Sequence, residues 1–212
     1  MRVAFKEWAV IVDALGRGGQ IVILRKGGIS EGRGGFKTEH SRFLLFPTLY
    51  HQQRESVLPA AQDRYDRIAP GFPAPDRLRL EYMAEVSVAE RLDSLTQANA
   101  LRGQHIWRDE VIAARFDWGK DKTIFALAVR VFRLPHSIEL PMLPAYGGCK
   151  SWVELDQEIT TDGAKPVLAD ADFEDKSNRL RVALGRDALP LVCLEDQVRG
   201  NAISQPSPLP LK

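Results

Sequence analysis

The stretch Leu78-Arg-Leu-Glu-Tyr-Met-Ala-Glu-Val-Ser-Val88 places apolar residues at every second position, with Arg79, Glu81, Met83, Glu85 and Ser87 between them. A period of two belongs to a strand that buries one face and exposes the other. Residues Thr123 to Leu134 are nearly all apolar, which predicts a central strand covered on both faces and ended by Pro135. Two shorter runs, Gln20-Ile-Val-Ile-Leu24 and Phe43-Leu-Leu-Phe46, predict further strands near 20–25 and 43–46.

Between these strands the spacing changes. Phe5, Trp8, Ile11, Val12 and Leu15 recur at threes and fours, which predicts an amphipathic helix over 3–15 with Gly16 as its stop. Residues 49–69, 90–101 and 107–116 also read as helical, and strand signals at 178–184 and 189–194 are modest. The segments GGISEGRGG (27–35) and PGFPAP (70–75) read as loops. Strands and helices mix without a regular βαβ alternation, so the expected fold class is α+β. The expectation is one domain over 1–156, an antiparallel-rich mixed sheet packed by helices. An irregular acidic C-terminal extension (157–200) and a disordered Pro-rich tail (201–212) would follow.

The bulk composition sets outer limits. At 212 residues, 44% hydrophobic and 27% charged, the chain is that of a soluble globular protein. A chain of this mass buries roughly 70% of its unfolded surface, enough for a sizeable core. Two cysteines, Cys149 and Cys193, cannot build a disulfide framework, so a reducing compartment is expected. Lys6, Glu7 and Asp13 interrupt the apolar N-terminal run and spoil a signal peptide, and no stretch approaches the length of a bilayer span. A cytoplasmic protein with no membrane association is the expectation. A net charge of +1 excludes a strongly basic coat protein but leaves room for a local basic patch. Basic residues do outnumber acids from Met1 to Arg42, and acids dominate from Lys150 to Lys176. The two could face solvent separately, or the acidic stretch could cover a basic anion-binding face.

Several groups of residues could carry chemistry. Arg25-Lys26 runs straight into Gly27-Gly28, where adjacent cations and free backbone N–H groups favour an anion. The pattern lacks the spacing of a P-loop. His40, Arg42 and His51 bracket the 43–46 strand, and an imidazole serves as general base or anion contact near neutral pH. Arg130 lies midway along an apolar strand, where a cation must be paired with an acid or an anion. In Tyr146-Gly-Gly-Cys149-Lys-Ser-Trp152 a tight bend presents its side chains. Cys149 is either a buried structural thiol or a nucleophile, and Trp152 either fills the core or stacks on a base. Asp162 with Glu174-Asp-Lys176 imitates the D…ExK arrangement of metal-dependent nucleases, but the acidic surroundings lack strand character. No metal ligand set and no cofactor motif emerges.

The blocks FKEWAVIVDAL, ILRKGGI, EHSRFLLFPTLYHQ, RVFRL and YGGCKSWVEL, taken in order from about Phe5 to Leu155, resemble an uncharacterised bacterial family, domain-of-unknown-function family 1802. No activity is established for that family, so the resemblance assigns no catalytic residue. Its domain is at times associated with a restriction-endonuclease-like domain, which implies a link to DNA processing or defence. Three functions therefore stand open. The first is a nucleic-acid-associated accessory module, with Arg25, Lys26, Arg42, Arg130 and Trp152 as the anion- and nucleic-acid-binding set. The second is an enzyme on a small anionic or nucleotide-like substrate, with His40, His51 or Cys149 as catalytic candidates. The third is a structural or protein-interaction domain.

Overall fold

Two long strands, β4 (Arg77–Leu92) and β5 (Ile124–Pro141), pair antiparallel from Arg77↔Pro141 to Leu92↔Ile124 and form the spine of the fold. The computed structural model describes residues 1–26 and 40–186. Ahead of the spine come β1 (Val3–Trp8), α1 (Ala9–Gly16), β2 (Val22–Arg25), β3 (Arg42–Thr48), α2 (Gln52–Glu55) and α3 (Pro59–Ile68). The helices α4 (Leu95–Asn99) and α5 (Asp109–Asp117) join β4 to β5, and β6 (Trp152–Glu154), β7 (Lys165–Pro166) and α6 (Asp170–Ala183) follow. The sheet order is β2-β5-β4-β3-β1-β6, with β7 added to β5. The β1–β3 pair is parallel and the other ladders are antiparallel. The fold is α+β, as the mixed periodicities imply.

The first helix starts later than its spacing suggests. Residues 3–8 are strand β1, not helix, because Ala4 and Phe5 pair with Leu44 and Leu45 on one side and with Val153 and Trp152 on the other. A strand flanked on both sides and buried on both faces shows no alternation, and the recurrence of Phe5 and Trp8 imitated a helical period. Similarly, β4 continues to Leu92, so α4 is short; it opens on a capping box of Ser94 and Gln97. The 49–69 helix is two helices, since Pro59 can only begin a new one. Residues 178–183 are helical within α6, not strand. The loop 27–35, the strand at 189–194, Cys193 and the tail 201–212 lie outside the described residues.

Pro135 does not end its strand. Between Leu80↔Ile138 and Tyr82↔Arg133 the register shifts, and Pro135 falls in that irregularity, where no ladder hydrogen bond is needed. The shift also exchanges faces. Leu78 and Leu80 pack with Leu134, Leu140, Phe46 and Tyr146 in one cluster, whereas Tyr82, Ala84 and Val86 pack with Phe5, Leu24, Phe43 and Val129 in the other. Phe173 and Leu180 of α6 join that larger cluster, so the acidic segment is fastened to the sheet by its apolar face.

Two buried contacts make this architecture testable. A Cβ built on Gly16 would lie 2.3 Å from the Tyr82 ring, so α1 can cross β4 only with a glycine there. Gly16→Ala is expected to cost about 1–3 kcal/mol in urea unfolding, and an unchanged midpoint would refute the close approach. His105, at 5% exposure, has no hydrogen-bond partner for either ring nitrogen among the described residues. Burial, its largest influence, pushes its pKa from 6.5 down to about 4, with Arg115 and Arg102 adding to the effect and Asp109 and the Trp107 backbone opposing it. The unfolded imidazole therefore protonates first as the pH falls. Stability is complete above about pH 6.5 and declines towards pH 4, by about 3 kcal/mol at most. In His105→Leu that part of the acid sensitivity should vanish, as read from midpoints measured between pH 4 and 7.

Candidate functional site at the closing edge of the sheet

Among the described residues the sheet path ends in β2 on one side, where β7 also pairs with β5, and in β6 on the other, and one side chain joins β2 to β6. Arg25, the last residue of β2, donates from Nε and Nη2 to Ser151 Oγ at 3.1 and 2.9 Å. Ser151 immediately precedes β6, and its carbonyl accepts from Lys6 N at 2.8 Å. The guanidinium also lies 5.3 Å from the centre of the Phe5 ring on β1. The sheet thus curls until its ends meet, and the residues around that junction form the candidate site.

Cations collect there. Lys6 Nζ donates to Gly148 O at 3.1 Å and lies 5.6 Å over Phe46, while Lys150 Nζ donates to Ala145 O at 2.6 Å. Burial holds the Lys6 ammonium below its ordinary pKa, and repulsion from Lys150 and Arg25 lowers it further against the pull of Cys149. None of Lys6, Arg25 and Lys150 forms an ion pair among the described residues, although most surface arginines do. Beside them Trp152 packs edge-on against Phe5, Phe43 and His40, with ring centres 4.8, 5.1 and 5.1 Å apart.

The bend expected at 146–152 is present. Gly148 has φ +80°, and a Cβ on Gly147 would sit 3.1 Å from Pro144 O. It carries Cys149 at the surface as a free thiol, so the buried structural cysteine of the sequence argument is not found.

Behind the junction, at the end of β1, Glu7 is 1% exposed. Its Oε1 accepts from Trp8 N at 2.8 Å, at the start of α1, and its Oε2 has no partner among the described residues. Arg115 on α5 donates from Nη1 to Leu24 O at 2.7 Å and lies between two indoles, 4.8 Å from the centre of Trp8 and 5.0 Å from that of Trp107. Burial lowers its pKa to about 10; Glu7 opposes that shift and Arg25 adds to it.

The residues singled out in the sequence divide. Arg25, His40 and Trp152 meet at the junction, and Cys149 lies at its rim beside Lys6. Lys26 follows directly, but its ammonium donates to Phe116 O at 3.3 Å, Thr123 O at 2.9 Å and Asp121 O. It caps the end of α5 and contributes charge without a free donor. Arg42 and Arg130 lie in one cross-strand row on either side of Glu85, away from the face of Phe43. Arg42 pairs with Glu85 at 2.8 Å, and Arg130 pairs with Asp170 beneath the Phe173 ring. The acidic segment therefore does meet a basic residue, on that row. His51 is exposed at the start of α2, apart from the others. Lys26, His40, His51, Arg130 and Cys149 thus do not converge on one cleft. Glu174 and Lys176 lie on helix α6 rather than on a core strand, and no cluster of acids, histidines or cysteines among the described residues could hold a metal.

Lys6, Glu7, Arg115 and Lys150 were not singled out by the sequence argument. The signal for Lys6 and Glu7 was their intrusion into an apolar strand; Arg115 and Lys150 carried none.

A family model described as "Domain of unknown function (DUF1802)" matches residues 4–179, past Leu155 and through most of α6. No curated protein matches. Two crystal structures of point mutants of the ZmASCH protein from Zymomonas mobilis are similar at 12% identity. One has a TM-score of 0.40 and covers 73% of this chain and 90% of that chain; the other has a TM-score of 0.39 and covers 83% and 94%. No helix among the described residues is long and apolar enough to cross a membrane.

The Arg25 clasp is open to direct test. Ser151→Ala leaves the guanidinium without its acceptor and should lower stability by about 1.5–3 kcal/mol. The accompanying change should be faster amide exchange in β2 and β6 relative to β4. Uniform exchange across all strands would mean that the clasp does not hold the edges.

Proposed function

Because the chain belongs to the DUF1802 family, which brings no activity with it, we propose from the site alone that it is a nucleic-acid-associated module whose phosphate contacts are Lys6, Arg25 and Lys150. The observation that carries this is the gathering of those three cations at the sheet junction without a carboxylate partner among the described residues. Like charges held together raise one another's free energy, and an anion bound between them relieves the repulsion. Successive phosphates of a nucleic acid are such anions. Trp152 and His40, half-buried beside the cations, would be the aromatic groups nearest a neighbouring sugar or base. Arg42 and Arg130, by contrast, have internal acids and contribute little net charge.

Gel-shift titrations of single-stranded and duplex DNA and RNA, over about 50–400 mM salt, test the proposal. Affinity should fall steeply with salt, and Lys6→Ala or Lys150→Ala should each flatten the log–log slope by about one. Arg42→Ala should leave the slope unchanged. The absence of any retarded band at the lowest salt rejects the proposal.

A further inference from the structure

A shallow hollow of about 480 Å³, wide open to solvent and mostly apolar in its exposed lining, lies beside the junction, between Trp8 at the end of β1 and α5. Its walls include Trp8, Lys26, Glu110, Arg115 and Trp118. Two features of these walls are used by the fold only in part. The Trp118 indole, just past the end of α5, is 48% exposed, an unusual setting for so large an apolar surface. The Arg115 guanidinium spends one N–H on Leu24 O, and no acceptor among the described residues takes the rest. Nor does Arg115 form an ion pair among them. Its charge is met by the flanking indoles and by Glu7 behind it, and at the cleft Lys26 adds a second positive charge and Glu110 a negative one.

A ligand that satisfies this cleft needs an anionic group with several acceptor oxygens for the guanidinium. It also needs a flat ring to cover the exposed indole. The volume leaves room for a small molecule lying against the surface rather than for a single ion alone. A phosphate and a heterocyclic base joined by a sugar supply both elements at one spacing. We propose that this cleft binds a nucleoside monophosphate unit, with its phosphate on Arg115 and its base stacked on Trp118. The proposal rests on the nucleic-acid reading above and places within it a distinct site for a single nucleotide. The unit is either a free mononucleotide or the 5′-phosphorylated end of a strand.

Calorimetric titration of the full chain with AMP, adenosine and inorganic phosphate tests this. AMP should bind with saturation below about 1 mM, with adenosine at least about tenfold weaker and inorganic phosphate weaker still. Trp118→Ala, a change at an exposed site, should weaken AMP about tenfold or more, as loss of a stacking platform does. Arg115→Lys keeps the charge but loses the planar fork. It should weaken AMP while leaving adenosine unchanged, a split that a merely unstable variant would not produce. A hexanucleotide with and without a 5′-phosphate separates the two sources: preference for the phosphorylated strand assigns a strand end, and equal binding assigns the free nucleotide. AMP that fails to bind, or binds Trp118→Ala as well as the native chain, overturns the proposal. If Lys6→Ala and Lys150→Ala abolish the gel shift but keep AMP binding, the cleft stands alone. If the native gel shift persists without AMP binding, only the cleft is rejected.

Discussion

Arg25 holds the two open edges of the sheet together, through two hydrogen bonds to Ser151 and the face of Phe5. An unpaired strand edge exposes a row of backbone donors and acceptors that can recruit other chains. A fully closed barrel removes that hazard, but it needs enough strands and the right stagger. Here β2 has four residues and β6 three, too few to pair with each other over any length. A side chain bridges what a ladder does not. A guanidinium suits this task because its fork donates twice in one plane and remains charged while packed on an aromatic ring.

That choice sets the electrostatics of the junction. A cation used as a clasp must remain a cation, and its neighbours Lys6 and Lys150 share its sign. Many of the other described arginines are neutralised, as with Arg54 and Asp66, Arg79 and Glu139, or Arg102 and Asp109. The contrast separates structural charge from charge left available. Glu7, a carboxylate buried on β1 behind the clasp, has one oxygen bonded and the other without a partner among the described residues.

Much of the fold was legible because β4 and β5 follow simple patterns, one alternating and one continuous, and because the apolar runs ahead of them are short and bounded by glycine or proline. The rest depended on partners far along the chain. Residues 3–8 have no alternation because both faces and both edges of β1 are covered, which a local window cannot register. Pro135 sits in an irregular register that exists only once β4 is opposite. The site was legible in part for the same reason. Arg25, His40 and Trp152 flank recognisable strands, but Arg130 reads as an unpaired buried cation until α6 brings Asp170 to it. Arg115 lies on a helix of mixed polarity, where nothing marks one arginine from its neighbours until Trp8 and Trp107 close around it.

The pairing of Phe5 with Trp152 carries a consequence for how the chain comes to be folded at all. Strand β1 is flanked on one side by β3, which follows it soon in the chain, and on the other by β6, which emerges only after nearly 150 further residues. Contacts of such long sequence separation form late and slow the overall rate. During synthesis β1 must therefore wait with one flank uncovered, exposed to chaperones and to other nascent chains, until translation passes the Gly147-Gly148 bend and reaches β6.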